Sequence, residues 1–167
     1  MTEEQKKLLL KDLSARLPYG IKILHKGWNY EWDEELSTVE RVVGIDENFI
    51  YTKVFDPHNG EEYRDDKWPI DTFDDKLFLR PMSSMTEEEM DRLFDILHVD
   101  KDGKDEDWIK INDVYGIKFF FPTGKWIENV AEAYDYLNSI HIDYRGLIPM
   151  GLAIEASEGM YNTKNNL

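Results

Sequence analysis

The stretch Thr38-Val39-Glu40-Arg41-Val42-Val43-Gly44-Ile45-Asp46-Glu47-Asn48-Phe49-Ile50-Tyr51-Thr52-Lys53-Val54-Phe55 holds two runs of β-branched and aromatic residues around an Asp-Glu-Asn turn. Such runs bounded by turn residues form an antiparallel hairpin, because branched side chains suit a pleated surface and Asp and Asn favour the turn. Asp56-Pro57-His58-Asn59-Gly60 is a second strong turn signal, and Tyr63 to Trp68 reads as a further strand that Pro69 ends or confines to an edge. Leu77 to Pro81 and Ile21 to His25 supply two more short strands, so this part of the chain predicts a small, bent antiparallel sheet. An SH3-like barrel and an open sheet fit this pattern equally.

Helices flank the sheet. Thr2 with Gln5 forms a capping-box pattern ahead of Leu9, Leu10, Leu13 and Leu17, and Pro18 and Gly20 stop that helix. Thr86 with Glu89 repeats the pattern ahead of Met90, Leu93, Phe94 and Leu97. Trp108 to Ile111 and Tyr115 to Phe121 predict a second hairpin. Thr123 caps a helix expected over Gly124 to Asn138, with Trp126, Ile127, Val130, Tyr134 and Leu137 as its buried stripe. Asp143 is expected to cap a last short helical turn, and Leu152 to Ile154 a terminal strand. The expected class is α+β, the sheet packed with N-terminal, central and C-terminal helices. At 167 residues one domain spanning 1–167 is expected, with sub-lobes at 1–82 (helix plus β-rich) and 83–167.

A composition that is 41% apolar supplies a core despite 33% charged residues. The absence of cysteine excludes disulfides, zinc–thiolate sites and thiol nucleophiles. The start, MTEEQKKLLLKDL, has too short an apolar run for a signal peptide, and no stretch approaches the ~18 apolar residues of a membrane span. A cytoplasmic, soluble protein with no membrane partner is expected.

Net charge is -15, and its distribution is uneven. Trp28 to Asp107 carries 25 acidic and 9 basic residues, whereas the rest of the chain is nearly neutral. Lys and Arg clusters supply most nucleic-acid affinity, so direct nucleic-acid binding is not expected. Metal and catalytic patterns are weak. Asp100, Asp102 and Gly103 look like part of a calcium loop, but the frame that aligns Gly103 puts Ile109 where a bidentate acid is needed. Gly124-Lys125 is followed by Trp126 rather than Ser or Thr, so it is no phosphate loop. Asp56 with Asp65-Asp66-Lys67 fits a magnesium-nuclease spacing, but so do Asp74-Asp75-Lys76 and Asp102-Gly103-Lys104, as chance predicts in an acid-rich chain. His141 and Asp143 suit either a metal on a strand or a helix end with its next cap. No catalytic residue, metal or cofactor is implied.

Trp28, Tyr30 and Trp32 alternate with Asn29, Glu31 and Asp33, and share one face if the segment is extended. They are either sheet core or an aromatic patch rimmed by acids and suited to a protein partner. With Asp65, Asp66 and Arg145 they form the candidate binding set.

Three segments carry a resemblance: Leu17-Pro18-Tyr19-Gly20, then Arg80-Pro81-Met82-Ser83-Ser84-Met85-Thr86-Glu87-Glu88-Glu89, and the run from Leu137-Asn138 through His141, Asp143 to Ile148 and Gly151 to Ala153 to Glu158-Gly159-Met160-Tyr161. The chain resembles a family of small uncharacterised proteins of gut anaerobic bacteria and their phages or prophages. The resemblance implies a cytoplasmic or phage-associated setting and no catalytic residue. The expected function is a non-enzymatic acidic protein that binds another protein, or a phage accessory protein, through an acidic, aromatic sheet layer. The competing readings are a nucleic-acid mimic that inhibits a DNA-binding enzyme and a metal-dependent hydrolase or nuclease using central carboxylates. Oligomeric state leaves no mark in the sequence.

Overall fold

The computed structural model describes residues 1–29, 33–55, 62–73, 75–97, 109–112, 116–119 and 129–161. In chain order these form helix α1 (Glu3–Arg16), strands β1 (Lys22–Asn29), β2 (Glu34–Ile45), β3 (Phe49–Phe55), β4 (Glu62–Pro69) and β5 (Lys76–Leu79), helix α2 (Glu87–Leu97), strands β6 (Ile109–Asn112) and β7 (Gly116–Phe119), helix α3 (Val130–Ser139) and strand β8 (Ala153–Glu155). The six-stranded sheet runs β4-β3-β2-β1-β5-β8, and β6 and β7 pair separately. The class is α+β, as the patterning requires. The sheet is mixed and open, with β4 and β8 as its edges, so the SH3-like barrel gives way to an open sheet. Pro69 sits on the edge strand β4, where a missing N–H costs no ladder bond.

Two compact units are present: Met1–Phe78 with Gly151–Ile154, and Leu79–Met150 with Glu155–Leu167. In the first, Thr2 caps α1 through a capping box: Gln5 N donates to Thr2 Oγ1 at 3.2 Å, and Thr2 N donates to Gln5 Oε1 at 2.9 Å. The helix turns out at Leu17–Tyr19, where Gly20 takes the left-handed conformation (φ 72°) that a side chain would strain. The buried stripe of α1 is Leu9, Asp12, Leu13 and Arg16, with Leu10 and Leu17 only half-buried. The expected all-leucine stripe is therefore rotated, and it contains an ion pair. The hairpin is β2–β3, and a bulge between Val42 and Gly44 adds local twist. Asp46 closes its turn: Oδ1 accepts from Asn48 N and Phe49 N, both at 2.7 Å. β1 continues four residues past His25, so Trp28 and Asn29 belong to a strand, pairing with Glu35 and Glu34, rather than to a loop. Ile21, Ile23, Val42, Ile50, Val54, Ile70, Phe73 and Leu77 are buried in this unit.

In the second unit, Met82, Leu93, Leu97, Ala133, Leu137, Ile142 and Tyr144 form one buried cluster, flanked by Met90, Val130 and Tyr134. α2 starts on the expected capping box, with Glu89 N donating to Thr86 Oγ1 at 3.1 Å and Thr86 N to Glu89 Oε2 at 2.9 Å. The β6–β7 hairpin is as expected. The described part of α3 begins at Val130, after a left-handed Asn129 (φ 63°); Thr123, Trp126 and Ile127 lie outside the described residues. Residues 143–150 form turns rather than a helix. Asp143 caps them all the same, its two oxygens accepting from Leu147 N and Ile148 N at 2.8 Å each.

Arg80 grips Glu89 with two parallel bonds, Nη1 to Oε1 at 2.7 Å and Nη2 to Oε2 at 2.8 Å. The Arg80 guanidinium, outweighing partial burial, holds the Glu89 carboxyl below its ordinary range. A depressed folded pKa contributes stability that is present above the unfolded value, about 4.3, and is lost as pH falls through the folded value. Glu89→Gln removes this contribution. Urea midpoints measured between about pH 6 and pH 3 should therefore fall less steeply in the variant than in the parent. Parallel curves would refute the assignment.

Candidate functional site

Alternation along the strands sorts residues onto two faces. Glu40 and Val42 of β2, Ile50, Thr52 and Val54 of β3, and Ile23 of β1 point to the buried face. A polar network is embedded there. Glu40 is fully buried, its Oε2 accepting from Thr52 Oγ1 at 2.6 Å and Trp68 Nε1 at 3.1 Å, and its Oε1 from Thr38 Oγ1 at 2.9 Å. Trp68 stacks on His25, ring centroids 3.8 Å apart and planes 19° apart. His25 Nδ1 lies 2.9 Å from Asp75 Oδ2; a carboxylate only accepts, so Nδ1–H is the donor. A His–Asp pair of this kind orients an imidazole, but catalysis also needs a nucleophile or an oxyanion pocket aimed at the same point. The hydroxyls of this network, Thr38 and Thr52, donate to Glu40, and the indole covers the imidazole. The arrangement orders a sheet face.

The opposite face has the inverse chemistry. Lys22, Arg41, Lys53 and Asp65 stand opposite one another across β1, β2, β3 and β4. Leu24 faces Val39 and Lys76, Lys26 faces Ser37, and Tyr51 faces Gly44 and Lys67. Val39 is 45% exposed, Val43 37% and Tyr51 36%, and Lys26, Arg41 and Lys67 are exposed around them. Among the described strand side chains this face carries six cations, Lys22, Lys26, Arg41, Lys53, Lys67 and Lys76, against the single acid Asp65.

Physical signs of crowded positive charge are present. Partial burial, and after it the Arg41 charge, push the Lys22 amine below its ordinary range. Like charges directly opposite in a sheet destabilise it. The Lys53–Asp65 contact is 3.7 Å long with Asp65 73% exposed, a geometry that stabilises little. Asp46 borders the face at the β2–β3 turn, but Tyr51 donates its hydroxyl to Asp46 Oδ2 at 2.6 Å, and Asn48 and Phe49 N–H groups hold the other oxygen. Those bonds, the Tyr51 one foremost, hold the Asp46 carboxyl below its ordinary range, and the same bond pushes the Tyr51 hydroxyl up. Lys67 Nζ lies 4.7 Å from the Phe49 ring centroid, a cation–π contact.

The expected binding set is dispersed. Asp65 and Asp66 point to opposite faces of β4, Asp65 opposite Lys53 and Asp66 opposite Thr52, so they do not converge on one ligand. Tyr30 and Trp32 lie outside the described residues, as do Asp56, Asp74, Asp100, Asp102, Gly103, Lys104, Gly124 and Lys125. Arg145 lies in the second unit, its guanidinium 4.9 Å from the Tyr144 ring centroid. Among the described strand side chains alternation places cations together on the exposed face; Glu31, Glu61 and the side chains of Glu34, Glu35 and Glu62, on which the expected acidic layer also rests, lie outside the described residues. Lys22, Lys26, Arg41, Lys53, Lys67 and Lys76 are the residues that sequence reasoning missed. Their parity in each strand was visible, but the strand register was needed to assemble them.

His141 and Asp143 do not share a ligand site. His141, at φ 58°, stacks on Tyr161 with centroids 3.6 Å apart, and Asp143 caps the following turn. Among the described residues no group of three or more His, Asp or Glu side chains is placed to hold a metal, and no helix is long and apolar enough to cross a membrane. Compared with family models, curated proteins and solved structures, the chain matches none.

Proposed function

We propose that this chain is a non-enzymatic binding protein that docks another protein on the exposed face of strands β1 to β4. The observation that carries the reading is the exposed cluster Val39, Val43 and Tyr51 set among Lys26, Arg41 and Lys67. Apolar and aromatic groups ringed by charge provide desolvation energy at the centre and orientation at the rim. The His25–Asp75 pair supports a structural role on the other face, which weakens the hydrolase reading.

Photo-crosslinking in the producing cell tests the reading. A benzophenone amino acid at position 39 should yield one discrete protein adduct, and the same group at the exposed Glu155 should not. The adduct should disappear when Arg41→Glu and Lys53→Glu are added. Identical adduct patterns from both positions, or none from position 39, would refute the docking face.

A further inference from the structure

We infer that residues 156–161 of the second unit form a releasable strap, latched by the Tyr161 ring on His141, which controls access to that imidazole. Helix α3 ends with His141 N donating to Asn138 O and Ile142 N to Leu137 O, both at 3.1 Å, the paired bonds of a Schellman end. That end places His141 at φ 58°, a left-handed position where glycine is the usual residue and a side chain is strained. Strained residues persist where the surroundings over-determine them, and they cluster at clamps and switches. The side chain that glycine would lack carries a stack here. Its imidazole lies against the Tyr161 ring, centroids 3.6 Å apart and planes 18° apart, and His141 is only 3% exposed.

The seat is built without the strap. His141 O accepts from Arg80 N, and Arg80 O from Asp143 N, both at 2.8 Å, around a bridge between Arg80 and Ile142. Leu137 and Ile142 are fully buried in the cluster of this unit, so the backbone that carries the imidazole is fixed. The strap has the opposite character. Ala156 N anchors its start on Leu79 O at 2.8 Å, and Ser157, Glu158 and Gly159 are exposed. A turn that Met160 N closes on Ser157 O at 3.1 Å, with Gly159 at φ 78°, brings the half-buried Met160 and Tyr161 back. Segments that bury little apolar surface open far more readily than the domain as a whole. Rotation within Ser157 to Gly159 lifts Tyr161 away and leaves the seat in place. Closed, the strap hides the imidazole; open, it presents the imidazole on a fixed support. A ligand or partner that contacts His141 then binds the open state alone, and its differential affinity shifts the strap.

The test is carbethoxylation of the full chain by diethyl pyrocarbonate, read at each histidine by peptide mapping. In the parent, His141 should react slowly, at a rate that changes little in urea well below the unfolding midpoint, because opening the strap exposes little surface. Tyr161→Ala should raise that rate by at least ~10-fold while the urea midpoint stays near the parental one. Tyr161→Phe keeps the ring and should keep the slow rate. The rate at His25, in the first unit, should be the same in all three chains. Three results would each overturn the inference. The first is a parental His141 rate that climbs with urea as steeply as global unfolding, or no reaction short of it. The second is a Tyr161→Ala rate equal to the parent's. The third is a Tyr161→Ala chain that unfolds or loses its parental midpoint, which would make Tyr161 part of the core rather than a latch.

Discussion

Asp12→Ala is expected to destabilise the chain by about 3–5 kcal/mol, because it leaves a guanidinium buried without its carboxylate. Arg16 Nε donates to Asp12 Oδ2 at 2.7 Å and Nη2 to Asp12 Oδ1 at 3.2 Å, and both side chains are fully excluded from solvent. An exposed i,i+4 pair of this type contributes about 0.3–0.5 kcal/mol, so burial decides the magnitude. On a chain of this length the loss corresponds to a fall in Tm on the order of 10 °C. The penalty belongs mostly to the stranded charge rather than to the bond. Asp12→Leu combined with Arg16→Met removes both charges and keeps the volume, and should recover most of the lost stability. Thermal and urea unfolding of the two variants decide the matter. A single variant within 1 kcal/mol of the parent, or a double variant no better than the single, would show that the pair is solvated.

Asp12 and Arg16 have the spacing of a surface pair, and nothing in their identity distinguishes a buried pair from an exposed one. Leu9 and Leu13 fix the direction of the buried face only to within one residue, and Asp12 or Leu10 completes the stripe equally well. Both capping boxes were legible because they are local: Thr2 with Gln5 and Thr86 with Glu89 need only a three-residue spacing and the orphan N–H groups of a first turn. The β2–β3 hairpin was legible for the same reason, since Val42, Ile50, Thr52 and Val54 alternate around a turn that Asp46 closes. Its continuation into Glu34–Ser37, and that of β1 into Trp28, was not, because cross-strand pairing sustains those ends where the local sequence is polar or irregular.

The candidate surface needed more than alternation. Each strand shows which residues share a face, but not which face is open to solvent or how four strands align. Lys22, Arg41 and Lys53 are far apart in sequence, and only the pairings of β1 with β2 and β2 with β3 make them neighbours. Among the described side chains of the acid-rich segment, Arg41, Lys53, Lys67 and Lys76 fall on one sheet face, while Glu40 and Asp66 point to the other and Glu87, Glu88 and Glu89 stand on α2.

Glu40→Ala tests the inner network, and a loss of about 3 kcal/mol is expected. The carboxylate is fully buried and accepts from Thr38, Thr52 and Trp68. Each buried donor left without an acceptor costs about 1–3 kcal/mol, and the vacated side chain adds a cavity. The sum is moderated because Trp68 Nε1 has a second acceptor in Thr52 Oγ1 at 3.2 Å, and threonine hydroxyls can turn. Glu40→Gln keeps the volume and one carbonyl oxygen but sets an amide N–H₂ against groups that donate, so it should cost less, about 1–2 kcal/mol. The consequences reach the neighbouring ring pair. Trp68 is held by Glu40 on one side and stacks on His25 at 3.8 Å on the other, and His25 in turn contacts Asp75. Stacked rings shield each other's protons, so the His25 ring signals should stand upfield in the parent, move to ordinary positions in Trp68→Leu, and move part of the way in Glu40→Ala. A Glu40→Ala variant with parental stability would show that water replaces the carboxylate, and unshifted His25 signals would show that Glu40 does not position the indole.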